Sequence, residues 1–465
     1  MLSQACSDDF LETRSSTDIS SPVVYETTGT ARGMIYGVYK FMRSWTDLSN
    51  GRMDCSGLHT NLLVFDIMGS DITMPPVTWY WYDYDYWHTE SETVFKTEYF
   101  WRFYYRIINN CNDVLFYVGD AEGPEPEKEA IRAEARALRA FAFWHLIQLY
   151  QQTYVIAREM PGVPLPKLPS TPSSRNMPRS SVEDVYELIT TDLEFAVTKL
   201  ADTREGKYYI NREVAAGILA RVYLTMGKWG EAAQMAAQAR ANYTLMNAAQ
   251  WQAGFNDSTN PEWIWAVHQT TDQNVGWGSS FSVLDFAGGD QHNFRIASSL
   301  ADKYSATDIR GGDMFQTVGT LIGNKKFREP SMLNTGHMVL MRSSEMLLIE
   351  AECAARSNDP ATAQDLLYEL QSKRDAAAVK STLQGDPLVE LILLERRKEL
   401  WAEGFGLHDL IRNQKPLVRD GDHTSVHNIP ARSWQFIFQI PRNEIDINEG
   451  INEEDQNPLS GVYNP

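Results

Sequence analysis

Residues 212–241, REVAAGILARVYLTMGKWGEAAQMAAQARA, decide the fold class. They read as two short helices that turn near Gly227, with Leu219, Ala220, Tyr223, Trp229, Ala232 and Ala239 on the facing sides. Small residues at Ala220 and Ala232 let two helices approach closely, and Tyr223 fills the space beside them.

The spacing is that of a tetratricopeptide (TPR) unit. A weaker copy occurs near Ala351, Ala354, Ala363 and Leu370, where Asp359 and Pro360 suit an N-cap and a first helical position. The copies are not in tandem, which excludes a plain solenoid. Further helical periodicity runs over residues 30–48, 92–118, 127–150 and 387–403. Another helix starts at Ser180, with Glu183 in capping-box spacing. The chain is therefore expected to be mainly α, a scaffold of TPR-like helix pairs near 127–150/180–241 and 342–403. Residues 51–90 and 251–340 lack helical periodicity and are rich in Gly, Asn, Asp and aromatics. They read as loop-rich parts with short strands, and loops held on a rigid scaffold are where binding usually lives. Residues 1–33 read as an attachment region and extended arm, and 34–465 as a single domain.

The 465 residues carry a formal charge of -19, which argues against nucleic acid and against a purely electrostatic hold on a membrane. No apolar run is long enough to span a bilayer. The start, MLSQAC, resembles the end of a lipoprotein signal that closes on Cys6. The basic and apolar regions of such a signal do not precede it, so the given chain reads as truncated there. Cys55, Cys111 and Cys353 form no CxxC and are expected to be buried thiols.

The chain contains 13 Trp and 21 Tyr, large flat side chains that suit sugar faces as well as a large core. Residues 78–88, TWYWYDYDYWH, read as a strand. Alternation would put Trp79, Trp81 and Trp87 on one face and Tyr80, Tyr82, Tyr84 and Tyr86 on the other. Asp83, Asp85 and His88 offer cation ligands, but on a strand His88 faces away from the two aspartates. His423 and His427 lie four apart in a segment that reads as loop, which disfavours a metal pair. No GxSxG, HExxH or GxGxxG occurs, and residues 319–325 lack the spacing and the Ser or Thr of a P-loop. No catalytic residue, metal or cofactor is assigned; whether calcium props the binding loops is left open.

Five stretches, in order, resemble the SusD-like (SusD/RagB) family of outer-membrane nutrient-binding lipoproteins. They are Cys6-Ser7-Asp8-Asp9-Phe10-Leu11-Glu12; Glu134-Ala135-Arg136-Ala137-Leu138-Arg139-Ala140-Phe141; and Arg342-Ser343-Ser344-Glu345 with Leu348, Ala351 and Glu352. Then follow Glu395-Arg396-Arg397-Lys398-Glu399-Leu400 with Glu403-Gly404 and Asp409-Leu410, and Ile440-Pro441-Arg442-Asn443-Glu444-Ile445 with Gln456-Asn457-Pro458. One departure is Gly406, where the family usually has Arg, which puts one internal charge pairing in doubt.

The resemblance implies a binding protein without catalysis, lipidated at Cys6 and facing outwards from the outer membrane. It implies a SusC-like TonB-dependent transporter as partner and a glycan as ligand. A peptide ligand is the alternative, and a glycoside hydrolase, which needs two facing carboxylates, is a third reading. Arg136, Arg139, Glu345, Glu352, Arg396, Arg397 and Glu399 sit on otherwise apolar helices and are expected to form structural ion pairs. The candidate carbohydrate-binding residues are Trp79, Trp81 and Tyr82 with Asp71 as polar partner, and Trp277 with Gln291 and His292. Core packing or a transporter interface is the competing role for the Trp pair.

Overall fold

The computed structural model describes residues 24–464, apart from 77–78, 172–173, 273, 287–293, 319–320, 332–334 and 420. The architecture is mainly helical. Helix α1 spans Thr28–Arg43, α2 Leu58–Ile67, α3 Phe95–Tyr117, α4 Glu125–Tyr150, α5 Val182–Lys199, α6 Arg212–Met226 and α7 Trp229–Arg240. After the loop-rich stretch come α8, Ser343–Arg356, α9, Pro360–Arg374, α10, Asp386–Glu399, and α11, Gly406–Arg412.

The pair α6–α7 packs as its small residues require. Gly227 closes α6 in the left-handed region at φ +75°, and Ala220, Ala232 and Ala239 are fully buried. At Gly217 the missing Cβ leaves room for the Met341 side chain, which packs directly on the helix. In α9 the Asp359 side chain accepts from Thr362 N, and Pro360 sits in the first turn. The N-cap of α5 is Ser181, one residue later than the sequence spacing indicates, and it accepts from Asp184 N at 3.0 Å. The extended arm expected over residues 1–33 is corrected at its end. Residues 28–33 belong to α1, which a Thr27–Thr30 capping box starts and the buried side chains of Ala31, Ile35, Val38 and Met42 hold to the core. The scattered glycines and threonines hide this apolar stripe. Cys6 lies outside the described residues, and Cys55, Cys111 and Cys353 are buried free thiols.

Short strands join the two loop-rich parts. Strand β1, Ile72–Thr73, pairs antiparallel with β2, Arg295–Ile296, which pairs with β3, Leu321–Asn324. Residues near 72 and near 296 are therefore neighbours although far apart in sequence.

The charged helix residues form ion pairs. Arg139 holds Asp192 with two bonds, at 2.8 and 3.0 Å, and donates to Asn112 Oδ1 at 2.8 Å. Arg136 lies 3.8 Å from the same carboxylate, with its guanidinium over the Phe195 ring. Glu345 takes Arg221, Glu352 takes Arg356 and Arg412, and Arg396 takes Asp409. At the start of α11 the Gly406 N–H joins those of Gly404 and Phe405 on the Asp66 carboxylate, at 2.7, 2.5 and 3.0 Å.

Removing one member of a buried pair leaves an uncompensated charge, at a cost of about 3–5 kcal/mol. Arg139→Ala should lose about that much stability in urea unfolding, and an unchanged transition midpoint would contradict the assignment.

Candidate functional site

The aromatic run does not form a strand. Trp81–Tyr84 is a helical turn and Trp87–Thr89 a 3-10 turn, with Tyr86 between them in the left-handed region at φ +64°. The period of four wins because Tyr80 and Tyr84 both bury their rings in the core. Arg419 fastens the turn: its guanidinium lies 4.2 Å from the centre of the Tyr84 ring and donates to the Ile67 and Gly69 carbonyls. The expected platform of Trp79 and Trp81 on one strand face is therefore corrected. Trp79 is 46% exposed, whereas Trp81 leans on the core beside Tyr84 and Tyr82 packs at 5.4 Å from Trp87.

Asp83 and His88 do meet, at 2.7 Å, and the cation beside them is Lys96. Lys96 is fully buried on α3, with its ammonium 2.9 Å from Asp54 Oδ2 and 3.6 Å from Asp83 Oδ2. Burial opposes the Asp54 charge, but Lys96 and Arg52 outweigh it and hold the carboxyl well below the usual carboxylate range. Arg52 donates to both Asp54 oxygens, at 3.1 and 2.8 Å. Its guanidinium then lies 4.8 Å from the centre of the Trp79 ring. The chain of Lys96, Asp54 and Arg52 thereby fixes the position of an exposed tryptophan. Asp85 and His427 pair at 2.9 Å, and His423 bonds the Tyr84 hydroxyl at 2.7 Å. These two histidines thus serve separate partners.

Trp277 is 72% exposed on a short turn between Val275 and Ser279. The turn is held from below by His59 on α2, whose Nε2 bonds the Gly278 carbonyl at 3.1 Å. Gly278 also packs against Ser56 and Trp45, where a Cβ would collide. Trp45 is itself 39% exposed. The segment 45–56 is thus flanked by Trp79 through Arg52 and by Trp277 through Trp45 and Ser56.

The segment thus carries one exposed indole, Trp45, and is flanked by Trp79 and by the Trp277 turn. Trp45 and Arg52 were not foreseen from the sequence, since nothing local distinguishes them and only the tertiary arrangement brings them beside Trp79 and Trp277. Asp71 is not part of this group: Arg397 holds its carboxylate at 2.6 and 3.0 Å, and its carbonyl accepts from the Trp401 indole. Gln291 and His292 lie outside the described residues.

A family model described as "Starch-binding associating with outer membrane" matches residues 59–224, and the SusD family model matches residues 285–459. The fold superposes on a SusD-like carbohydrate binding protein of Bacteroides vulgatus with a TM-score of 0.84 and 28% identity, covering 93% of this chain and 98% of that one. A SusD superfamily protein of the same species gives a TM-score of 0.82 at 21% identity, covering 95% and 100%. A SusD-like protein of Formosa agariphila is 20% identical over 420 residues, 76% of this chain and 78% of that one. The chain belongs to the SusD-like family. Among the described residues no helix is long and apolar enough to cross a membrane.

Burial pushes the His59 imidazole down to about 4, while in the unfolded chain it titrates near 6.5. Its contribution to stability is fully present above about pH 6.5 and is lost as the pH falls towards about 4, because the unfolded chain takes up the proton first. Tm measured across that window should fall less steeply in His59→Gln, which keeps an amide donor for Gly278 without the titration. Equal slopes would show that His59 is not the neutral support of the Trp277 turn.

Proposed function

We propose that this protein captures a glycan on the surface bordered by Trp45, Trp79 and Trp277 and delivers it to a SusC-like TonB-dependent transporter. In this reading a lipid on Cys6 holds the protein at the outer face of the outer membrane. The observation that carries the proposal is the exposure of three indoles on loops fixed by buried charges and a buried histidine. The apolar C–H face of a sugar ring packs on an indole, and Arg52 can donate to ring hydroxyls. Family membership supports it, as does the likeness to a solved protein named for carbohydrate binding. The glycan reading is preferred to a peptide because this surface exposes flat indole faces, while the charges of segment 45–56 are paired, Arg52 with Asp54 and Asp47 with Arg106. It is also preferred to hydrolysis: the buried carboxylates described above are occupied by arginine, lysine or backbone donors, whereas a glycosidase needs a facing acid and base beside its ligand.

Native affinity electrophoresis on a panel of polysaccharides tests the proposal. Two lost stacking faces at about 0.5–1.5 kcal/mol each weaken retention about fivefold to about a hundredfold. The wild-type chain should be retarded by at least one glycan, and a folded Trp79→Ala/Trp277→Ala protein should lose most of that retardation. Undiminished retardation of the double variant would remove the site from this surface, and no retardation on any glycan would favour the peptide ligand.

A further inference from the structure

A cavity of about 400 Å³ opens beside α1, lined by residues that neighbour the tryptophan surface in sequence. Arg43 lines it two residues before Trp45, and Leu58 lines it one residue before His59. Its walls are aromatic. Tyr36 and Tyr209 lie with ring centres 5.1 Å apart, and Tyr208 packs at 4.0 Å on the His268 ring. Although the protein is strongly acidic, no carboxylate among the described residues lines the cavity, whereas Lys40, Arg43 and His268 do. Lys40 is exposed and has no acidic partner among the described residues. Arg43 crosses to the insertion and donates to the His268 carbonyl at 3.1 Å. The nearest acids hold tyrosine hydroxyls at the edges: Glu134 takes that of Tyr39 at 2.6 Å, and Glu205 that of Tyr36 at 3.4 Å.

Behind the cavity, His268 Nδ1 lies 3.2 Å from His337 Nε2, and His337 Nδ1 lies 2.8 Å from the Ser258 hydroxyl. The other ring nitrogen of His268, Nε2, has no hydrogen-bond partner among the described residues. The helix wall is bare. Gly33 and Gly37 line the cavity, both are exposed, and a Cβ at either would meet nothing within 4 Å. No packing inside the fold requires glycine there, although glycine weakens a helix interior.

We infer that this cavity is a second carbohydrate subsite that takes an acidic sugar, a uronic acid residue of the captured glycan. Its ring lies between the tyrosines and the bare helix, with its carboxylate towards Lys40 and Arg43. The inference rests on the glycan-capture reading above and narrows it to glycans that contain uronate.

Isothermal titration of the full chain with disaccharides of galacturonate, glucuronate and mannuronate, beside their neutral counterparts, tests it. At least one acidic disaccharide should bind at least fivefold tighter than its neutral counterpart, with a margin that shrinks as salt rises. Gly37→Leu, which projects into the cavity from a position without neighbours, should weaken that binding at least tenfold, and Lys40→Gln should reduce the margin over the neutral sugar. Trp79→Ala/Trp277→Ala should retain most of the disaccharide binding. Unchanged binding in Gly37→Leu would overturn the subsite, as would equal affinity for neutral and acidic disaccharides or no acidic disaccharide bound. In each of those cases retention of neutral polysaccharides by the tryptophan surface would still stand. Conversely, loss in Gly37→Leu with undiminished polysaccharide retention in the tryptophan variant would keep the cavity and overturn the tryptophan site.

Discussion

Glu399 lies fully buried where three arginines converge: Arg310 at 2.7 Å, Arg342 at 2.6 Å and Arg374 at 2.9 Å. The network extends through Glu262, Glu403, Lys326, Asp308, Glu395 and Lys398, all within ion-pair distance of one another or of these arginines. Such a set is tolerable inside a protein only when every charge is matched, and here five basic groups face five carboxylates. Burial opposes the Glu399 charge, yet Arg374, Arg342 and Arg310 hold its carboxyl well below the usual range. The geometric consequence is more important than net stability. Glu262, Asp308, Arg310 and Lys326 belong to the loop-rich stretch, while Arg374, Glu395 and Glu399 belong to α9 and α10. The network rivets the loop-rich stretch of the molecule to its helical scaffold.

The same device recurs on a smaller scale beneath the proposed ligand surface. Lys96 on α3 holds Asp54, Asp54 holds Arg52, and Arg52 faces Trp79. An aromatic recognition surface gains affinity when its rings are positioned before the ligand arrives, because little side-chain entropy then remains to be lost. A charge ladder rooted in a long helix provides this for Trp79, and His59 provides it for the Trp277 turn. The tyrosine-lined cavity runs along α1 from Gly33 to Arg43, and Trp45 follows two residues after the helix ends.

Much of this was legible in the sequence, and the failures have physical reasons. The long helices, the α6–α7 pair and the structural role of the charged motifs follow from periodicity and from the rule that buried charges are matched. The strand expected over residues 78–88 failed because alternating aromatics also fit a turn in which every fourth ring is buried, and Tyr80 and Tyr84 take that option. The choice depends on Arg419 and Lys96, which lie far away in sequence or on another helix. Asp71 looked like a polar ligand group because its partner, Arg397, is more than three hundred residues distant. Trp79 and Trp277 were visible as candidates, but Trp45 and Arg52 carry no local mark, since their significance lies in what folds against them.

If a glycan lies on the indoles around segment 45–56, a crystal of the chain soaked with an oligosaccharide that retards it in affinity gels will show it there. A sugar ring is expected on Trp277 or Trp79, with a hydroxyl within hydrogen-bond reach of Arg52. Saccharide density found only on another face of the molecule, with these three indoles bare, would contradict it.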